Sequence, residues 1–206
     1  MVDIIPFSIY NTFNPNASQS ITKEGIFMAR TKTKDLTLTA MMAAVICVLA
    51  PISIPIPVSS MPLSLGTFAL YLTAYVLKPK MAFAATALYL LMGAVGLPVF
   101  AGYSAGFSRF AGAGGGYLTG YLFLVPACSI CIRRFPQSPV VQIIGMLLAT
   151  FLFYAYATYW MSVVIGGSFI ATLPAGALVF LPLDSVKILV TCWIGRKLQT
   201  YLENAA

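Results

Sequence analysis

Along this chain, long apolar runs alternate with short polar breaks, and the breaks define the elements. The runs cover about residues 36–54, 64–77, 81–97, 117–132, 140–165 and 182–198. They lack the period-two alternation of barrel strands, so they predict membrane-spanning helices. Pro51, Pro55, Pro57 and Pro62 stop the first run and stiffen the loop at 54–63. Lys78-Pro79-Lys80 separates the second run from the third, and Gly96-Leu97-Pro98 ends the third. Arg133-Arg134-Phe135-Pro136 closes the fourth, and Gly166-Gly167 ends the fifth. Residues 168–181 form a turn and a short apolar piece; Pro182 then suits the first turn of the last helix, which Arg196 and Lys197 close. The expected fold is an all-α membrane protein, a bundle of six transmembrane helices. Residues 1–27, with Asn11, Asn14, Pro15 and Asn16, read as an N-terminal extension without a transport role; residues 28–206 are the six-helix domain.

The basic residues orient that bundle. Arg30, Lys32 and Lys34 precede the first helix; Lys78 and Lys80, Arg133 and Arg134, and Arg196 and Lys197 lie at alternate breaks. The loops at 54–64 and 166–175 hold no Lys or Arg. Basic residues gather on the cytoplasmic side, so both termini are expected inside a cell membrane. The net charge of +7 therefore belongs to the lipid bilayer surface and does not point to nucleic acid.

Composition then removes whole classes of function. The chain is 60% hydrophobic and 8% charged, and it has no histidine. Histidine-based catalysis and metal binding are excluded, no nucleophile–base set is visible, and no cofactor or enzyme activity is expected. Cys47, Cys128, Cys131 and Cys192 lie in or beside apolar runs and read as small packing residues. There is no Walker A pattern and no chain of Asp, Glu and His for a proton relay. With six spans and no visible inverted repeat, the chain is small for a complete secondary transporter. A capture subunit that takes its energy from a partner fits these gaps.

Of the twelve basic and five acidic residues, all but three belong to the N-terminal tail or to cytoplasmic helix ends. The three are Arg109, Asp184 and Lys187, and the topology puts them on the outer side. Asp184 and Lys187 are three apart and share one helix face. They are either a self-neutralising pair that ties helices together or part of a ligand site. Arg109 sits in the outer connection between the third and fourth helices, residues 99–116, which carries Gly102, Gly112, Gly114, Gly115 and Gly116 among aromatics. That connection is either a flexible linker or irregular backbone folded against protein or a cavity. Ala40 and Ala44, four apart on the first helix, suit close helix contact within the chain or with a partner. The stripe of Phe151, Phe153, Tyr154, Tyr156, Tyr159 and Trp160 is core, interface belt or cavity wall.

Three motifs resemble the BioY family, the biotin-binding S components of energy-coupling factor (ECF) transporters. They are Gly93-Ala94-Val95-Gly96-Leu97-Pro98-Val99-Phe100-Ala101-Gly102, then Gly115-Gly116-Tyr117-Leu118-x-Gly120-Tyr121, then Pro182-x-Asp184-x-x-Lys187. The likeness spans about residues 36–200. It implies capture of biotin from outside, and partnership with a transmembrane coupling subunit and two ATP-binding cassette ATPases. The family's Ala-x-x-x-Ala contact with the coupling subunit maps to Ala40 and Ala44, and its last-helix acid and base map to Asp184 and Lys187. By the same likeness Lys187 would take the valerate carboxylate or orient it, Asp184 would accept a ureido N–H, and Arg109 would donate to the ureido carbonyl or the carboxylate. Phe100, Gly102, Tyr103 and Tyr117 would wall the thiophane ring. Two stretches depart from the family pattern: Pro62-Leu63-Ser64-Leu65-Gly66 and Gly112-Ala113-Gly114-Gly115-Gly116-Tyr117. A self-sufficient carrier, or an S component for another vitamin, is the alternative.

Overall fold

Apolar helices account for most of the computed structural model, which describes residues 33–55 and 62–204. The N-terminal extension expected at 1–27 lies outside the described residues. The chain is helical over 33–49 (α1). It then forms a two-stranded antiparallel ribbon, β1 (Ser53–Ile54) and β2 (Leu63–Ser64), with Ser53 opposite Ser64. Next come α2 (Gly66–Val76), α3 (Pro79–Val95), a 3₁₀ turn (Ala101–Tyr103), α4 (Ser108–Ala111), α5 (Gly115–Arg134) and α6 (Pro139–Ile165). After α6 the chain runs through α7 (Phe169–Leu173) and a π-type turn (Pro174–Leu178) into α8 (Leu181–Asn204).

The helix boundaries follow the stop signals. Pro79 opens α3 at its first turn, and Gly96 closes it at φ 118°, a left-handed conformation that suits glycine. Pro139 opens α6, and Ser168 caps α7 by accepting the Ala171 N–H. The ribbon brackets the proline loop expected at 54–63 and adds a short β element to a mostly helical chain. Among the described residues three helical stretches are long and apolar enough to cross a membrane: Gly115–Arg134, Pro139–Ile165 and Phe169–Gln199. α2 and α3 are shorter, at 11 and 17 residues. At 1.5 Å per residue α2 is about 16 Å long, half the thickness of a bilayer core.

The described residues from Thr39 onward form one compact unit. α5 lies most extensively against α6; α2 contacts α5 and α8; α3 contacts α5; and α6 contacts α8. Tyr71, Tyr75, Leu70, Met146 and Ile188 fill the interior with no more than marginal exposure. α1 turns Met42, Ala43, Ile46 and Ala50 inward and leaves Ala40, Ala44 and Val48 exposed. All four cysteines are free.

The glycine-rich connection is folded, which removes the linker reading. Phe100 is buried and meets Tyr89 and Phe110 edge-on, with ring centroids 5.6 and 5.8 Å away. A side chain on Gly93 would run into the Phe100 ring, so that glycine makes room for the aromatic. Gly102 N–H donates to the Pro51 carbonyl at 3.1 Å, and Trp160 Nε1 donates to the Gly112 carbonyl at 3.1 Å. At Gly115 a Cβ would collide with the Phe110 carbonyl. Gly115→Ala should therefore cost about 1–3 kcal/mol through overpacking. Gly112→Ala, whose Cβ meets nothing nearer than 3.7 Å, should be close to neutral. Thermal unfolding of the two purified variants checks the contrast; equal midpoints would refute it.

Candidate functional site

The starts of α2, α5 and α8 and the connection before α5 enclose a cavity of about 430 Å³. Its size falls within the range of small-molecule sites. Asp184, Lys187, Arg109, Tyr117 and Phe100, five of the residues singled out from the sequence, lie in its wall. Gly102 and Tyr103 do not: Tyr103 is 68% exposed, and Gly102 serves the backbone turn that bonds to Pro51. The residues on either side of them, Ala101 and Ser104, do line it.

A closed set of hydrogen bonds forms one side of the cavity. Lys187 Nζ donates to Asp184 Oδ1 at 2.9 Å, to Thr67 Oγ1 at 2.8 Å and to the Ser64 carbonyl at 2.8 Å. An ammonium has three donors, so all are engaged. Asp184 is 1% exposed. Its Oδ1 also accepts from Thr67 at 3.0 Å, and its Oδ2 accepts from Tyr154 at 2.7 Å and from Tyr71 at 3.3 Å. Tyr71 is 2.9 Å from Thr150 Oγ1, which continues the network into α6. Burying a carboxylate is tolerable only with such partners. The pair thus ties α2, α6 and α8 together, and it also faces the cavity.

Sequence reasoning missed the hydroxyls. Thr67 and Tyr71 are four apart on α2, and Thr150 and Tyr154 are four apart on α6, so each pair shares a helix face. Two such pairs in otherwise apolar helices are the signal that could have located the hydrogen-bond network around Asp184. Of the aromatic stripe on α6, Tyr154 is cavity wall, while Phe151 and Tyr159 are about 60% exposed on the outer surface.

Six aromatic residues, among them Tyr117, Tyr154 and Phe180, also line the cavity. Tyr154 and Phe180 stack with centroids 5.9 Å apart and planes 12° from parallel, and Tyr117 meets both edge-on. The Tyr117 hydroxyl donates to the Gly176 carbonyl at 2.6 Å and so pins the π-type turn; only its ring is left for a ligand. Arg109 is exposed and lines the cavity; its backbone N–H donates to the Gly106 carbonyl at 3.2 Å, and its guanidinium has no hydrogen bond or ion pair among the described residues. The site therefore offers an aromatic slot, a hydrogen-bonding end and an unengaged guanidinium. Among the described residues no cluster of His, Cys, Asp or Glu could hold a metal ion.

The cavity also has a definite position along the helices. Tyr117 lies 16 residues before Arg133 on α5, about 24 Å along the axis. On α8 the cavity residues Asp184 and Lys187 likewise precede Arg196 and Lys197. The site thus occupies the end of the bundle away from the paired basic residues.

Comparison with known proteins bears on this geometry. The chain is 34% identical over 165 residues to the biotin transporter BioY2 of Lactococcus lactis subsp. cremoris (strain MG1363), covering 80% of this chain and 90% of the relative. It is 31% identical to a probable biotin transporter BioY of Pyrococcus horikoshii, covering 82% of this chain and 98% of that one. Its fold matches the 2.1 Å crystal structure of the S component for biotin from an ECF-type ABC transporter, with a TM-score of 0.78 at 27% identity, over 83% of this chain and 93% of the other. The BioY family matches residues 20–204, from within the expected N-terminal extension to the end of α8, and the chain belongs to that family.

Proposed function

We propose that this chain is the biotin-capturing S component of an ECF-type transporter, a multi-pass membrane protein that binds biotin outside the cell and performs no catalysis itself. The observation that carries the reading is the unengaged Arg109 at a cavity whose opposite chemistry is the hydrogen-bonded Asp184–Lys187 pair. Biotin has a cyclic urea, a thiophane ring and an acidic tail. The urea needs a donor and an acceptor side by side, which Lys187 and the oxygens around it supply. The ring needs an apolar slot, which Tyr117, Tyr154 and Phe180 form. The carboxylate needs a cation not already engaged, which favours Arg109 over Lys187. In the bound state the urea oxygen replaces the Ser64 carbonyl as an acceptor for Lys187.

Six spans with both termini inside agree with three long helices, the shorter α2 and α3, and α1, and with the basic residues at one end. The cavity would then open outward. A coupling subunit and two ATPases would supply the energy, with the exposed Ala40 and Ala44 as the contact surface. Residues 1–27 would be dispensable for binding.

Titration of the purified chain with biotin tests the reading; no binding would refute it, and tighter binding of another vitamin would reassign the ligand. Arg109→Gln should weaken biotin about tenfold, as loss of a charge-assisted bond partly screened by water. The same variant should bind the uncharged amide of biotin as the wild type does. Equal losses for acid and amide would remove Arg109 from the carboxylate. Uptake by wild-type protein in cells lacking every coupling component would favour the self-sufficient carrier instead.

A further inference from the structure

We infer that Thr67 is a positioning residue for ligand recognition, acting through Lys187; the inference rests on the biotin reading above. Its basis is the direction of the protons. Lys187 has donors and no acceptor, so Thr67 Oγ1 must accept in the 2.8 Å bond between them. The single hydroxyl proton is then committed to Asp184 Oδ1 at 3.0 Å. Among the described residues Thr67 is the one neutral side chain bonded to both charges, and neither bond can reverse.

That arrangement decides where the ammonium sits. Asp184 is three residues before Lys187 on the same helix, so on its own it would draw the flexible lysine back along α8. The two acceptors that pull the ammonium across the cavity are the Ser64 carbonyl, at the end of β2, and Thr67, in the first turn of α2. The Ser64 carbonyl is itself placed by its own side chain, which accepts from Gly66 N–H at 2.7 Å and donates to the Ala50 carbonyl at 2.8 Å. When a ligand oxygen takes the place of the Ser64 carbonyl, only Thr67 remains to hold the ammonium off α8. The hydroxyl thus matters most in the bound state, and for a ligand whose acceptor oxygen meets Lys187.

The test compares biotin with a thio analogue in which sulfur, a weak acceptor, replaces the urea oxygen. Thr67→Val keeps the shape of the side chain and removes the hydroxyl; Thr67→Ser restores it. The valine variant should weaken biotin by about tenfold to a hundredfold. The thio analogue should change by less than about threefold, and Thr67→Ser should bring biotin back to within about threefold of wild type. Thr67→Ala carries the same comparison if the valine variant aggregates. Equal losses for both ligands, or failure of serine to rescue, would reduce Thr67 to a structural residue and overturn the inference while leaving the biotin reading intact. Absence of biotin binding by the wild type would overturn both.

Discussion

Asp184→Ala should abolish biotin binding and lower stability by about 3–5 kcal/mol, the cost of leaving one half of a buried ion pair alone. The carboxylate is 1% exposed and accepts from Lys187, Thr67, Tyr154 and Tyr71. Its removal strands an ammonium and three hydroxyls that now donate to it. Both properties are therefore lost together, and a single variant cannot separate a structural role from a recognition role. The double variant Asp184→Leu, Lys187→Met can. With both charges gone, no uncompensated ion remains, and apolar side chains of similar volume often restore or exceed the stability of a buried pair. The double variant should recover most of the thermal midpoint and still fail to bind biotin. Thermal unfolding and ligand titration on the same preparations check this. Recovered binding in the double variant would mean that the pair only holds the helices together.

That distinction also explains what the sequence could and could not reveal. Charges in apolar helices are conspicuous, so removing the residues assigned to the tail and the helix ends was enough to isolate Arg109, Asp184 and Lys187. The proline and glycine breaks likewise located α3 and α6 to within two residues. Hydroxyls are different. Threonine and tyrosine are common in membrane helices, and Asp184 lies 117, 113 and 30 residues from its partners Thr67, Tyr71 and Tyr154, while Thr150 joins only through Tyr71, 79 residues away. Nothing local marks them except their spacing of four on two helices. The ribbon at 53–54 and 63–64 was hidden for another reason. Prolines mark it as a break, but a two-residue pairing rests on register, here Ser53 with Ser64, which no local pattern encodes. The family resemblance named Gly102 and Tyr103 as ligand wall. The wall takes their neighbours Phe100, Ala101 and Ser104, while the left-handed backbone at both, φ 68° and 56°, leaves Gly102 and Tyr103 themselves exposed.

Ala40→Trp should reduce biotin uptake in cells to the level seen without the transporter, while leaving biotin affinity within about twofold of wild type. Ala40, Ala44 and Val48 recur every four residues on one face of α1, and all three are exposed, whereas Ala43 and Ile46 on the other side are buried. In a bilayer, lipid is as apolar as the helices, so association depends on close backbone approach across small side chains. An indole at position 40 would hold a partner helix off and forfeit the dispersion contacts along the whole face. The ligand cavity is formed elsewhere; neither Ala40 nor Ala44 lines it. Capture and delivery should therefore separate cleanly: full binding in the purified variant, no uptake in cells, and no recovery of the coupling subunit with it. Normal uptake would show that the energy enters through another surface. Loss of binding would show that this face of α1 supports the fold of the chain itself.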